Sequence, residues 1–555
     1  MGRKSGRKNS KHFAKANFLM LGKILLYFNT IKYLKFSQIF YRIFYFLYRP
    51  RITLIKDIVH SQGSGTWVNP ISKKESFFSD SEFRFLNTTQ KLNLDSDWRK
   101  IHINDLWTYN LHYFDGINRP NIGFEKSRKL INSWIKHNPP GESKGWDSYP
   151  ISLRLVNWIK WAVANKHYDR FLNDSIASQG GWLSKRIEYH LSGNHLLANA
   201  KALIFLGLYF DGNEAKKWLR KGEAIYIEEL EEQILDDGGH YERSPMYHAI
   251  ILEDLLDIKN ASNYWENKLD KELVKKIDSV IKKMVAWLDS MTHPDGEVSF
   301  FNDSAMSISP SINDILGYIE RLGFTYESIL GFSHLQDSGY ISVNSENFHA
   351  ILDVGELGPN HQPGHAHADT LSFELSLFEK RFIVNSGTST YSNDDRRSFE
   401  RSTSAHNTVE INGMNSSQVW KSFRVGKRAL PYILSISDSM PVTIRAKHDG
   451  YRSIFQSPEH QREWIIENHS LQVNDFIIGN KIRAISRIYF HPEIQIDTDG
   501  IFKIPSGGIC KLTTSVENYK IIESKWSPCF GKLEKNLCIE FLLREGKNSI
   551  IFNWD

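Results

Sequence analysis

The sequence predicts a multidomain α and β protein, with a helical N-terminal half followed by an antiparallel β-rich C-terminal half. Three observations predict it. The 555 residues are more than one core encloses. From about residue 100 to 330 apolar residues recur at helical spacing. Lys271–Met291 is the best case, placing Leu273, Ile277, Met284 and Leu288 on one stripe. After about residue 340 the period drops to two: Leu371, Phe373, Leu375 and Leu377 alternate with Ser372, Glu374 and Ser376.

In chain order, residues 1–60 form a basic, aromatic arm. It holds 13 Lys and Arg and no acidic residue before Asp57. The apolar stretch Phe18–Phe28 is interrupted by Lys23, is too short to span a membrane, and lacks a small-residue cleavage site. The run Ser37–Tyr48, SQIFYRIFYFLY, has two readings: an interfacial helix against anionic lipid, or a helix packed on the body. Residues 61–335 make the helical domain. Leu196–Leu208 and Ile250–Ile258 are apolar nearly all round, as helices buried between other helices are. No repeat of fixed length stands out. Residues 336–555 make the β domain. Phe348–Val354, Asn407–Ile411, Ile485–Phe490 and Ser549–Trp554 read as short strands between turns, the pattern of an antiparallel sandwich. The boundary is expected between Phe324 and Ser342.

Charge narrows the function classes. The chain carries +5, but the residues from Asp57 onward carry −8, with 56 Lys and Arg against 64 Asp and Glu. That body does not read as a nucleic-acid binder, and an anionic substrate would need a local basic site. Three cysteines without a CxxC pair point to neither a thiolate zinc site nor a disulfide scaffold.

Four clusters carry candidate chemistry. Asn194 and His195, in Ser192–His195, precede a buried helix; they either cap it or face a cleft and bind an anionic group. Glu242, Arg243 and Tyr247 lie in or just after a loop punctuated by Gly238, Gly239 and Pro245. His365 and His367, one residue apart before the Leu371 strand, point the same way and would bind a metal together or divide catalysis and metal binding. His406, before another strand, is either a structural histidine or a ligand.

In this order the clusters resemble the heparinase II/III-like polysaccharide lyases. The stretches SGNHLLANAKAL, DGGHYERSPMYH, PGHAHADTLSFEL and RSTSAHNTVEING carry the resemblance, with weaker matches in WTYNLHYFDG and NSGTSTY. It implies an incomplete α/α toroid followed by an antiparallel β-sandwich. It also implies cleavage of an acidic, uronate-containing polysaccharide by β-elimination. That chemistry needs a group to neutralise the uronate carboxylate, a base for the C5 proton and an acid for the leaving oxygen. By resemblance Asn194 and His195 bind the carboxylate. Tyr247 is acid, base or both, and His365 is a second catalytic group. Glu242 and Arg243 orient the tyrosine or the sugar, and Tyr391 is the nearest candidate for a further tyrosine. A tyrosine base needs a lowered pKa, which neighbouring cations would supply. The resemblance also implies a zinc ion held by His367, Asn385 and His406. An amide at Asn385 is a weaker ligand than a carboxylate, and Asp369 is the alternative. The arm is reminiscent of members associated with bacterial surface-polysaccharide production, which implies the cell envelope and membrane-surface contact. Two rivals remain: a glycoside hydrolase using a carboxylate pair on the same scaffold, and a protein that binds polysaccharide without cleaving it.

Overall fold

The computed structural model describes residues 20–555, apart from 21, 80, 100–102, 120, 329, 455 and 498–499. The basic stretch at residues 3–15 and the start of Phe18–Phe28 therefore lie outside the described residues. Two arm helices, 22–31 and Phe36–Leu47, lead into the body. The helical half runs from Asp105–Tyr113 through Ile312–Arg321. Its central helices are Ser148–Asn165, Gly193–Tyr209, Pro245–Tyr264 and Lys271–Ser290. Gly193–Tyr209 is buried along nearly its whole length, as its all-round apolar sequence requires. Lys271–Ser290 buries Leu273, Ile277, Ile281, Met284 and Leu288, following the predicted stripe. A hairpin of Glu82–Phe85 and Thr88–Lys91, which hydrophobic period did not reveal, precedes the helices.

The β half begins at strand Gly331–Leu335. It contains antiparallel sheets of five, eight and four strands. Phe348–Asp353 is the middle strand of the first, and Gly546–Trp554 sits inside the second between Ser470–Ile478 and Ile509–Thr514. One core joins the sheets, drawing Leu352 and Phe373 from the first, Trp464 and Phe552 from the second, and Ile488 and Phe541 from the third. Strand Phe373–Leu377 shows what period-two alternation leaves open. Its polar alternates are buried, not solvated: Glu374 and Ser376 both bond His293, at 2.9 and 2.7 Å. Both faces of this sheet are covered, and His293 lies past the end of Lys271–Ser290. The polar period thus marks a packed interface, with each buried polar group paired. Leu371, counted with the strand by its period, lies before it in a left-handed turn (φ 63°).

Candidate active site

Tyr247 occupies the first turn of helix Pro245–Tyr264. Ser244 caps that helix, its hydroxyl accepting the Tyr247 backbone N–H at 3.2 Å, and Pro245 fills a first-turn position that needs no N–H partner. The Ser244 hydroxyl also donates to the Asp303 carbonyl at 2.6 Å. A local sequence signal, Ser-Pro before an apolar helix, thus fixes Tyr247 against the junction of the two halves. Its hydroxyl lies 3.1 Å from that of Tyr391, and its ring centroid lies 4.0 Å from the His365 imidazole.

Asp303 is the hub beneath this group. Its carboxylate is fully buried and accepts from both terminal nitrogens of Arg397, from His365 Nδ1 at 2.9 Å and from His367 Nε2 at 2.8 Å. Burial alone would raise its pKa, but Arg397 and the histidine hydrogen bonds hold it well below the carboxylate range. With His365 Nδ1 turned to Asp303, its Nε2 faces the other way, 3.7 Å from Glu242 Oε2.

Tyr247 does not have the lowered pKa expected of a tyrosine base. Burial, Tyr391 and Asp303 hold its hydroxyl well above the usual phenol value. Arg397, whose guanidinium lies 4.9 Å from the Tyr391 ring, is the cation nearby, and its charge is spent on Asp303. Its hydroxyl is therefore held in the protonated form in this arrangement.

Asn194 and His195 start helix Gly193–Tyr209. Gly193 adopts φ 62°, and a Cβ there would sit 2.7 Å from Glu242 Oε1, so the turn needs glycine. The same carboxylate oxygen accepts the Asn194 backbone N–H at 3.4 Å. The Asn194 amide reaches the Tyr149 hydroxyl at 3.4 Å, and His195 stacks on the Tyr149 ring at 4.2 Å. Among the described residues the Asn194 side-chain oxygen has no partner. Burial disfavours charge on His195, but Glu188 at 3.3 Å and Glu242 outweigh it and raise the pKa. Glu242 thus sits between the Asn194 backbone and His365, and its own pKa is raised by burial. Arg243, by contrast, spends its guanidinium on the carbonyls of Glu356 and Asp337, clasping the helical loop to the β half.

His367, Asp369 and His406 form a separate buried group whose ligand atoms lie within 4.8 Å of one another. His367 Nε2 is bonded to Asp303 and His406 Nδ1 to the Ser402 carbonyl at 2.8 Å. Each ring therefore turns an unprotonated nitrogen toward the other, 3.1 Å apart. Burial lowers both pKa values, that of His367 to about 4, so neither ring carries a second proton to bridge the gap. A cation beside a carboxylate satisfies both lone pairs, and the outer nitrogens already have the partners that metal-binding histidines use. The Asn385 side-chain oxygen Oδ1 instead accepts the Asn407 backbone N–H at 3.1 Å, which leaves Asp369 as the third donor.

The comparisons with known proteins agree with this architecture. The Heparinase II/III N-terminus model matches residues 129–320, and the Heparinase II/III-like C-terminal model matches residues 330–552, most of the chain between them. The chain belongs to the heparinase II/III-like family. Two curated relatives are named heparin-sulfate lyase. One, from Bacteroides stercoris, is 23% identical over 56% of this chain and 47% of its own length. The other, from Pedobacter heparinus, is 26% identical over 51% of this chain and 47% of its own length. This family member thus spans about half the length of the curated relatives it matches. A heparinase III crystal structure superposes with a TM-score of 0.65 at 19% identity, over 82% of this chain and 79% of its own. Its likeness establishes the fold, a helical toroid followed by antiparallel sheets.

The structure also recruits residues that sequence motifs did not single out. Tyr149 begins helix Ser148–Asn165, Glu188 lies in the turn before Ser192, and Arg397 lies in the short helix Asp395–Glu400. Asp303 follows an apolar pair, Phe300–Phe301, in a loop of small polar residues. None of the four carries a local signal of its own.

Proposed function

We propose that this protein is a polysaccharide lyase that cleaves a uronate-containing polymer by β-elimination. The observation that carries this reading is the Tyr247–His365 pair, anchored from behind by Asp303 and flanked by Asn194 and His195. The uronate carboxylate would lie against the Asn194 amide and the His195 imidazolium, which neutralise the charge that builds as C5 loses its proton. His365 takes that proton on Nε2, while Asp303 holds the ring by Nδ1. Tyr247, kept protonated by its surroundings, gives its proton to the oxygen leaving C4, and Tyr391 hydrogen-bonds the tyrosine that donates. The C4–O bond breaks as the C4–C5 double bond forms. The relatives' names point to acidic glycans, and the cationic His195 suits that class. Processing of a surface polysaccharide at the envelope is the setting we assign.

The carboxylates fit a hydrolase poorly. Inverting or retaining cleavage needs two carboxyl groups facing the scissile bond. Asp303 has both oxygens engaged, and Glu242 is buried with one oxygen on the Asn194 backbone. We further assign a zinc ion to His367, Asp369 and His406. Bound there, it would cross-link the loop that carries His365 to the strand after His406, a structural task.

The test is to incubate the protein with a panel of uronate polymers and follow ultraviolet absorbance of the unsaturated product alongside new reducing ends. Both rising together supports the lyase. Reducing ends without absorbance mean a hydrolase, and binding without either means a polysaccharide-binding protein.

A further inference from the structure

The arm helix Phe36–Leu47 is turned inside out relative to an ordinary surface helix. The residue it buries is Gln38, whose side chain caps its own N-terminus and donates to the His361 carbonyl at 3.3 Å. Tyr41 and Tyr45 face inward beside it. Facing outward are Phe36 at 81% exposed, Leu47 at 73% and Phe46 at 71%, with Phe40 and Ile43. The preceding helix, 22–31, adds Ile24, Leu25 and Phe28 at 62%. Large apolar side chains exposed along both arm helices mark an interaction surface. Among the described residues no helix is long and apolar enough to cross a membrane.

We propose that this outward face docks onto an anionic lipid bilayer. Charge chooses the occupant. Lys23, Lys32, Arg49 and Arg51 are exposed along the same arm, and no acidic residue precedes Asp57. A second copy of the arm would bring like charges together, which disfavours self-association. Anionic headgroups neutralise the same cations while the aromatic side chains enter the acyl boundary.

The inner face ties docking to the cleft. Tyr45 donates to the Ile187 carbonyl at 2.5 Å, and Tyr41 stacks on Tyr189 at 4.5 Å. Glu188, between those two residues, is one of the two carboxylates that favour the charged form of His195 against its burial. On the β side, Arg428 lies 3.7 Å over the Tyr33 ring, and His361 precedes His365 in the same loop. The arm thus straddles both halves of the site, and a docked arm sets the cleft at a fixed orientation to the bilayer. This second step rests on the lyase reading; the lipid contact does not.

The experiment is co-sedimentation of the full chain with phosphatidylcholine vesicles, with and without phosphatidylglycerol. The expected result is binding to the anionic vesicles that weakens at high salt. A variant combining Phe36→Ser, Phe46→Ser and Leu47→Ser is expected to bind about tenfold or more weakly. Its melting temperature and its rate on soluble polymer should match the wild type. Tyr247→Phe should bind vesicles as the wild type does, so failure of the lyase reading leaves this result standing. Three outcomes overturn the proposal: no vesicle binding, equal binding to neutral vesicles, or a dimer without vesicle binding that the triple substitution dissolves.

Discussion

At His195 two effects oppose each other: burial disfavours the imidazolium, and Glu188 and Glu242 favour it. The carboxylates win, so the folded pKa stands above the free-histidine value of 6.5. The sign follows from linkage. The stabilisation is fully present below the unfolded value and is lost as pH rises through the folded one. If His195 neutralises the uronate, kcat/KM should fall over the same alkaline window. His195→Gln should remove that limb from the pH profile and flatten the alkaline fall in melting temperature; a limb that persists unchanged excludes His195. Asp303 makes a second residue-scale prediction. Asp303→Asn leaves the Arg397 guanidinium buried without its counter-charge, a change that costs roughly 3–5 kcal/mol. Urea unfolding measures it, and a loss under about 1 kcal/mol would mean that Arg397 finds another partner. Asn194, His195, Tyr247 and His365 were legible in the sequence because each stands in an unusual local run. Tyr149, Glu188 and Arg397 were not, because their roles arise from segments that meet only in the fold.

At the scale of elements, the start of helix Gly193–Tyr209 decides where Asn194 points. Gly193→Ala places a methyl group against Glu242 in a backbone region that favours glycine. The expected cost is about 1 kcal/mol or more in stability, with KM for the polymer rising as Asn194 shifts. Thermal unfolding and steady-state kinetics check the two parts separately. The long helices were readable because each carries an apolar face of several turns. The β half was read less fully, and Glu374 and Ser376 show why. Period-two alternation says which residues share a face, but not whether the polar face meets water or another layer. Here that face meets His293. The candidate metal group shows the same limit. The family resemblance offered Asn385, with Asp369 as the alternative, and the fold brings the Asp369 carboxylate to His367 and His406.

At the scale of the whole molecule, the candidate site is a product of the junction. Tyr247, Asn194 and His195 come from the helical half, and His365 and Tyr391 from the β half. Asp303 lies in the loop between helices Lys271–Ser290 and Ile312–Arg321, bonding Arg397, His365 and His367 together. A zinc ion at His367, Asp369 and His406 would stiffen that assembly. Metal analysis is expected to find one zinc per chain, removed by chelator with a lower melting temperature, and His406→Ala should neither hold zinc nor respond to chelator. An unchanged melting curve after chelation, with no zinc detected, would remove the ion from the account.

The central claim is that Tyr247 supplies the proton to the leaving oxygen. Its most direct test is the rate of unsaturated-product formation by Tyr247→Phe on whichever uronate polymer the wild type cleaves, with polymer affinity measured in parallel. The account predicts a loss of about 10²- to 10⁴-fold in kcat with affinity nearly unchanged. A variant that forms unsaturated product at the wild-type rate would contradict it.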